Sequence, residues 1–429
     1  MAAGFFLIAS FVALLVVGMP IAFALGTAAV AGLVYLGGTE SLVQIPIIAY
    51  QMIDSPAFLA LPLFIVMGTV LLHGKIGGDF FELARAFVGH RRAGLAIATI
   101  VACAIFSAIS ASSLATAATI GALSIPSMLK QGYSPRLVYG PVAAGGTLGI
   151  LIPPSGVMIL YGAMTDVSVG DLFLAGIFPS IILTTLLCGV AIFLTRGKNV
   201  TPERKATWRE RATALRTSFW GLMLPVFVLG GLYAGFFTPN EAGAIGVVLS
   251  LVVTVLVKRT LPVRDLPRVL VDGTRTAGFL FGVIIAAGLF NHLMTELQFI
   301  QAFTQLVTGS GASKLGVLLM ISAMIFVMGM FFEVAALVLI MAPVLFPIVT
   351  EMGIHPVWFG IFFVVNVEFA YLTPPVGMNL FIIQEVARRY RSTTFQEVVV
   401  SSAPYLLAHA SLLVMLLAFP QIATGLLSR

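Results

Sequence analysis

Two stretches decide the fold: GGTLGILIPPSGVMILYG at residues 145–162 and NVEFAYLTPPVGMNLF at residues 366–381. Each is apolar enough to lie in a bilayer, and each has a tandem proline in its middle. Proline lacks a backbone N–H and clashes with the carbonyl four residues earlier. It also pushes the residue before it toward an extended conformation. Pro153 and Pro154 therefore break a helix and free the carbonyls of Gly149 and Ile150, while Pro374 and Pro375 free those of Ala370 and Tyr371. In hydrocarbon those oxygens need a partner. Two readings stay open: a kinked helix whose carbonyls are met by a neighbour or water, or a site where unwound carbonyls and hydroxyls hold a small cation and resumed helix N-termini favour an anion.

The offset in sequence that carries Pro153 onto Pro374 extends outward from the two stretches. By the same offset Pro347 meets Pro126, Gly353 meets Gly132, Pro356 meets Pro135, and Gly377 meets Gly156. Upstream the phase drifts by one or two positions, with Gly316 near Gly94 and Pro239 near Pro20. The spacing predicts two copies: residues 1–195 and 219–429, joined by the charged segment 196–218.

Composition sets the solvent. Of 429 residues, 59% are hydrophobic and 9% charged, with a mean hydropathy of +1.08. Soluble domains carry roughly 25% charged residues, so this chain cannot cover a folded surface with polar groups. A cytosolic enzyme, a nucleic-acid-binding domain and a disordered chain are excluded. Cys103 and Cys188 sit in apolar runs and read as small buried hydrophobes. The opening MAAGFFLIAS lacks a basic n-region and a small-residue cleavage site, so the first apolar stretch is expected to stay in the protein. No G-x-x-x-x-G-K-[ST] loop and no G-x-S-x-G elbow occurs, and the five histidines have no metal-ligand spacing.

Candidate spans fall at about 4–18, 20–36, 57–73, 93–107, 114–129, 137–165, 172–195, 219–236, 240–257, 276–293, 315–329, 334–350, 357–387 and 400–427. The runs 93–107 and 114–129 are separated by SAISASS, and 315–329 and 334–350 by MFFE. Polar residues at that depth must face protein or a water-filled cavity. Each pair, about 93–130 and about 314–350, therefore reads as a hairpin that enters the membrane and returns on the same side, followed by a broken helix at about 137–165 and about 357–387. Lys75, Arg85, Arg91, Arg92, Lys130 and Arg136 flank the first hairpin, whereas only Lys314 flanks the second. Basic residues favour the cytoplasmic side, so the two copies take opposite orientations. The resulting topology places 21 of the 23 Lys and Arg inside, leaving out Lys314 and Arg429. Inverted copies with paired broken helices are the pattern of a secondary transporter. Amphipathic stretches at about 78–90 and 294–308 are either interfacial arms or ordinary surface helices.

The first hairpin tip offers Ser107, Ser110, Ser112 and Ser113; the second offers Gly329 and Glu333, and its partner helix Asn366, Glu368, Thr373 and Asn379. Glu333 is the sharpest of these, either as a ligand contact or as an acid that closes the tip by hydrogen bonding. Ser112, Ser113, Ser155, Glu333, Asn366 and Asn379 are the candidate substrate contacts. No Lys or Arg falls among them, so hydroxyls, amides and helix ends would hold a carboxylate.

The two stretches above, with FTPNEAGAIG at 237–246, DLFLAGIFPS at 171–180 and the terminal PQIATGLL, resemble the large membrane subunit of tripartite ATP-independent periplasmic (TRAP) transporters over nearly the whole chain. The resemblance implies an all-α polytopic protein of the bacterial inner membrane. It would be a sodium-driven elevator for organic acids such as C4-dicarboxylates or sialic acid. Two partners are implied: a small four-helix membrane subunit and a periplasmic substrate-binding protein. Carried over by motif, one Na⁺ site would use Ser107, Ser110, Gly149, Ile152 and Pro154, and the other Gly329, Ala370, Thr373 and Val376. The chain departs from the family pattern at Ala370, Ala108 and Ala111, where glycine is usual, and near Glu333, where Asp is common. The alternatives are a stand-alone sodium/anion symporter of the same superfamily and, more remotely, a membrane scaffold or enzyme.

Overall fold

The computed structural model describes residues 2–197, 200 and 202–427, and every regular element among them is helical. Two of the charged positions, Lys198 and Arg429, lie outside the described residues. Among the described residues seven helices are long and apolar enough to cross a bilayer, eight if the bent pair Thr39–Ile53 and Phe58–His73 is one span. The all-α polytopic expectation is met.

Burial sorts these helices into a centre and a rim. In Pro135–Thr165, which the tandem proline interrupts, 89% of the apolar window is buried, against 28% in Val169–Thr195 and in Trp208–Tyr233. Every residue from Leu137 to Leu151 is buried, as is nearly all of Pro356–Tyr371. A helix apolar all round belongs in a core, and these two occupy it. The rim helices expose Phe6, Tyr35, Val226 and Leu256 to the surroundings. Between helices in lipid, close packing replaces the hydrophobic drive, and glycine permits it. Gly140 is one such point: its N–H donates to Ser401 Oγ at 2.6 Å, and an added Cβ would lie 2.2 Å from the Ser401 carbonyl.

Helix boundaries recur at the offset read from the prolines. Ser113–Lys130 is matched in position by Val334–Glu351, and Pro135–Leu151 by Pro356–Tyr371, one residue shorter. The amphipathic stretches are helices Ile76–Val88 and Phe299–Thr308.

Several boundaries differ from the hydropathy reading, each for a local reason. The first polar break is only Ala111 and Ser112, because Ser107 donates its hydroxyl back to the Cys103 carbonyl at 2.7 Å and remains helical through Ser110. Charge concealed two helix starts. Trp208–Tyr233 begins inside the segment read as linker, closed by a capping box in which Thr207 and Glu210 exchange hydrogen bonds. Leu266–Glu296 begins well before its apolar run, with Pro267 in its first turn. Residues 39–53, assigned no span, form a 3₁₀ turn and the helix Gln44–Ile53. The last span is divided at Pro404 into Phe395–Ser402 and Leu406–Ala418.

The charged segment read as a linker is docked at Glu203. Glu203 accepts two hydrogen bonds from Arg85 Nε, at 2.9 and 3.0 Å, and one from Gln131 Nε2 at 2.9 Å, while its own N–H donates to the Gly89 carbonyl at 3.3 Å. The hydrogen bond that Arg85 donates to Glu203 raises the Arg85 pKa above its ordinary value. Lys258 adds an ion pair to Asp79 and a bond to the Thr217 carbonyl at 3.2 Å. Arg85 is partly exposed, so the clamp is worth about 1 kcal/mol. Glu203→Ala should therefore lower thermal stability by about that amount and speed protease nicking between residues 202 and 207; an unchanged nicking rate would show that the segment is held elsewhere.

Candidate functional site

A cavity of about 480 Å³ lies where both helix-pair junctions and both proline breaks converge. Its wall takes Ser110–Ala115 from the first junction, Glu333–Ala335 from the second, and Ile150 and Tyr371 from the ends of the two interrupted helices. Helices Pro56–His73 and Leu266–Glu296 close the opposite side through Phe64, Thr69, His73, Asp272, Thr276 and Phe279. Most of the lining is apolar, with a few polar groups converging on it, the usual form of a small-molecule site. Among the described residues no Lys or Arg lines it.

At the first junction the hydroxyls interlock. Ser110 Oγ and Thr116 Oγ1 are 2.7 Å apart, and Thr116 donates to the Ser112 carbonyl at 2.9 Å. Ala111 takes a left-handed conformation, φ 51°, which turns the chain. Ser112 then caps Ser113–Lys130, accepting from Ala115 N–H at 3.3 Å. The neighbouring break is built against this turn. A Cβ on Gly149 would lie 2.5 Å from the Ser112 carbonyl oxygen, so backbone rests directly on backbone. Pro153 removes the amide that would have met the Gly149 carbonyl. Ser155 Oγ donates to the Ile150 carbonyl at 2.6 Å, and Ser180 Oγ to that of Leu151 at 3.3 Å.

The second junction repeats the plan with other groups. Glu333 caps Val334–Glu351, accepting from Ala335 N–H at 2.9 Å and Ala336 N–H at 3.4 Å. The Val334 N–H donates to Tyr371 Oη at 2.6 Å, tying the junction to the second break. Gly329 packs on Ala370: an added Cβ would be 2.7 Å from the Ala370 methyl. Thr373 N–H donates to the Ala370 carbonyl and its hydroxyl to the Phe369 carbonyl, both at 2.9 Å. Like Ser107, Thr373 spends its proton on its own helix, so its lone pairs are left for a cation rather than an anion.

The candidate residues separate by position. Ser110, Ser112, Ser113 and Glu333 line the cavity. Ser107, Gly149, Ile152 and Pro154 lie at the first break and its junction, and Gly329, Ala370, Thr373 and Val376 at the second. Ser155, Asn366 and Asn379 are not on the cavity wall and brace it instead. Ser155 caps Gly156–Thr165, Asn366 accepts from Ser322 Oγ at 2.8 Å, and Asn379 accepts from Ser113 Oγ at 2.9 Å while donating to the Ala143 carbonyl. That last bridge joins the first junction to the second interrupted helix across 266 residues. Glu368 is fully buried, and neither carboxylate oxygen has a hydrogen-bond partner among the described residues. The wall residues His73 and Asp272, 3.8 Å apart, were missed in the sequence because they stand on separate helices in no motif.

Residues 8–422 match the family model described as the tripartite ATP-independent periplasmic transporter, DctM component. The chain is 36% identical over 393 residues to the C4-dicarboxylate TRAP transporter large permease protein DctM of Pseudomonas aeruginosa, covering 92% of this chain and 91% of that protein. It is 36% identical over 434 residues to the protein of the same name in Rhodobacter capsulatus, covering 97% and 96%. In fold it is similar to the crystal structure of the Alcanivorax borkumensis YdaH transporter, with a TM-score of 0.60 at 15% identity over 90% of this chain and 91% of that one.

The backbone contact at Gly149 is open to a direct test. Gly149→Ala should displace the first junction and lower stability by about 1–3 kcal/mol. Gly278→Ala, in the helix Leu266–Glu296 with no atom within 4 Å of its added Cβ, should be neutral or stabilising. Thermal unfolding of both variants checks this, and equal midpoints would remove the argument from close approach.

Proposed function

The chain belongs to the family of the tripartite ATP-independent periplasmic transporter DctM component, and from that premise we propose that it is the sodium-coupled large permease of an organic-acid importer in a bacterial cytoplasmic membrane. Its cargo is a C4-dicarboxylate or a related acid, as the names of its relatives indicate. The reading is supported above all by one observation: two helix-pair junctions and two proline breaks, from equivalent positions of the two copies, meet at one cavity. On this reading the helix pairs are re-entrant hairpins of an inverted repeat, with ion and substrate sites at the breaks.

The hairpins and interrupted helices form the moving unit, which slides as an elevator against a scaffold that includes Pro56–His73 and Leu266–Glu296. Sodium is bound by oxygen ligands: Ser107, Ser110, Gly149, Ile152 and Pro154 at one break, Gly329, Ala370, Thr373 and Val376 at the other. Ser107 and Thr373 suit the task because their hydroxyl protons already point to helix carbonyls. Bound Na⁺ orders the junctions and offsets the charge of an anion in a cavity without Lys or Arg. Each ion that crosses the potential releases about 2.3 kcal/mol per 100 mV, so a few ions drive steep accumulation. A small four-helix membrane subunit completes the scaffold, and a periplasmic binding protein delivers the acid.

Two experiments test this. In proteoliposomes holding the chain with its small subunit, uptake of a labelled C4-dicarboxylate or its hydroxy- and amino-acid analogues should require both a sodium gradient and the binding protein. Uptake without the binding protein would favour a stand-alone symporter. Ser107→Ala and Thr373→Ala should each weaken apparent sodium affinity by about tenfold, the loss expected for one interaction with a charged group; unchanged sodium dependence in both would remove these side chains as ligands.

A further inference from the structure

Resting on the transport reading above, we infer that Asn291 is a positioning residue of the transport cycle: its amide fixes the register of the second helix pair, Lys314–Gly329 and Val334–Glu351, on the scaffold helix Leu266–Glu296. The contact begins with a proline. Pro343 stands inside Val334–Glu351 and lacks the N–H that would meet the Leu339 carbonyl four residues earlier. Leu339 is fully buried, and within a bilayer its oxygen needs a partner from the protein. Asn291 Nδ2 donates to it at 2.8 Å.

Among the described residues, this is the one side-chain hydrogen bond or ion pair that ties Pro56–His73 or Leu266–Glu296 to either helix pair or to either interrupted helix. Around it the contact is apolar. Phe290 and Met294, close to Asn291 in sequence, and Ile340 and Met341, next to Leu339, line a cavity of about 230 Å³ together with Met328 and Val344; no polar side chain faces it. Protein interiors are normally close-packed. A void lined by adaptable methionines lets the two elements shift past one another, and no other directional contact decides where they stop. The first helix pair meets Pro56–His73 differently, by close approach: an added Cβ on Gly68 would lie 2.9 Å from the Ser110 carbonyl oxygen.

The amide does not serve stability. One neutral hydrogen bond multiplies an equilibrium by about fivefold. Asn291 Oδ1 is buried with no partner among the described residues, and an unmet buried acceptor costs at least about as much as the bond contributes. The two effects offset, so a leucine of nearly the same size would hold the elements together equally well. What the amide adds is direction. A single buried asparagine between packed helices fixes their register at a cost in stability. Sliding Val334–Glu351 by one helical turn, about 5.4 Å, carries the Leu339 carbonyl out of reach. The bond therefore belongs to this conformation and opens each time the moving unit crosses.

Spin labels on Gly278→Cys, at an open position of the scaffold helix, and on Leu319→Cys, exposed on the second helix pair, report the separation of the two units. With Cys103 and Cys188 replaced by alanine, the full chain and its small subunit in nanodiscs should give two distance populations whose ratio responds to Na⁺. Asn291→Leu should reduce the population that matches this structure by about fivefold, with an unchanged or higher unfolding midpoint. Asn291→Gln, which keeps the donor, should retain more of that population than Asn291→Leu. Unchanged populations in Asn291→Leu, equal shifts in the two variants, or a clear loss of thermal stability in Asn291→Leu would each overturn the inference while leaving the transport reading standing. A single distance with and without Na⁺ would remove the sliding unit from the transport reading, and the inference with it.

Discussion

The structure depends on one constraint: backbone oxygens and amides within a bilayer must find partners in the protein. The paired prolines break it at two places in the most buried helices of the molecule. At the first break, Ser155 and Ser180 hydroxyls meet the Ile150 and Leu151 carbonyls. At the second, Thr373 meets Phe369 and Ala370, and Tyr371 reaches across to the Val334 amide. The two helix-pair junctions carry the complementary problem, the free amides of helix N-termini. Bringing junction and break together lets Tyr371 serve the Val334 amide, and it gathers polar groups around one cavity.

The two junctions share a plan and differ in chemistry. Ser112 and Glu333 cap equivalent helices, one with a neutral hydroxyl and the other with a carboxylate. The small residue needed for close approach also moves. At the first break it is Gly149, resting on Ser112 backbone; at the second it is Gly329 on the facing helix, opposite the Ala370 methyl. Ala370, which departs from the glycine usual in the resembling family, fits because Gly329 opposite it has no side chain. Its methyl does not block the carbonyl that the proposed ion site would use.

The breaks, the offset shared by the prolines around them and the members of both junctions were legible because they rest on backbone chemistry local to proline, glycine and serine. Helix starts were less so. Charged first turns at Trp208 and Leu266 are invisible to a hydropathy window, although the Thr207–Glu210 capping box and Pro267 are written in the sequence. The hydroxyls at Ser107 and Ser110 read as a break, but a serine that bonds its own helix carbonyl does not end a helix.

The sequence by itself determined that the chain lives in lipid and where its two most buried helices are broken. Those conclusions follow from composition and from the steric rules of single residues. Tertiary structure alone decided which polar groups face the cavity. Asn379, Asn366 and Ser155 point into packing contacts, while His73 and Asp272 reach the wall from helices that carry no motif. The direction of a side chain on a buried helix depends on which neighbour approaches it, and here those neighbours come from as far as 266 residues away.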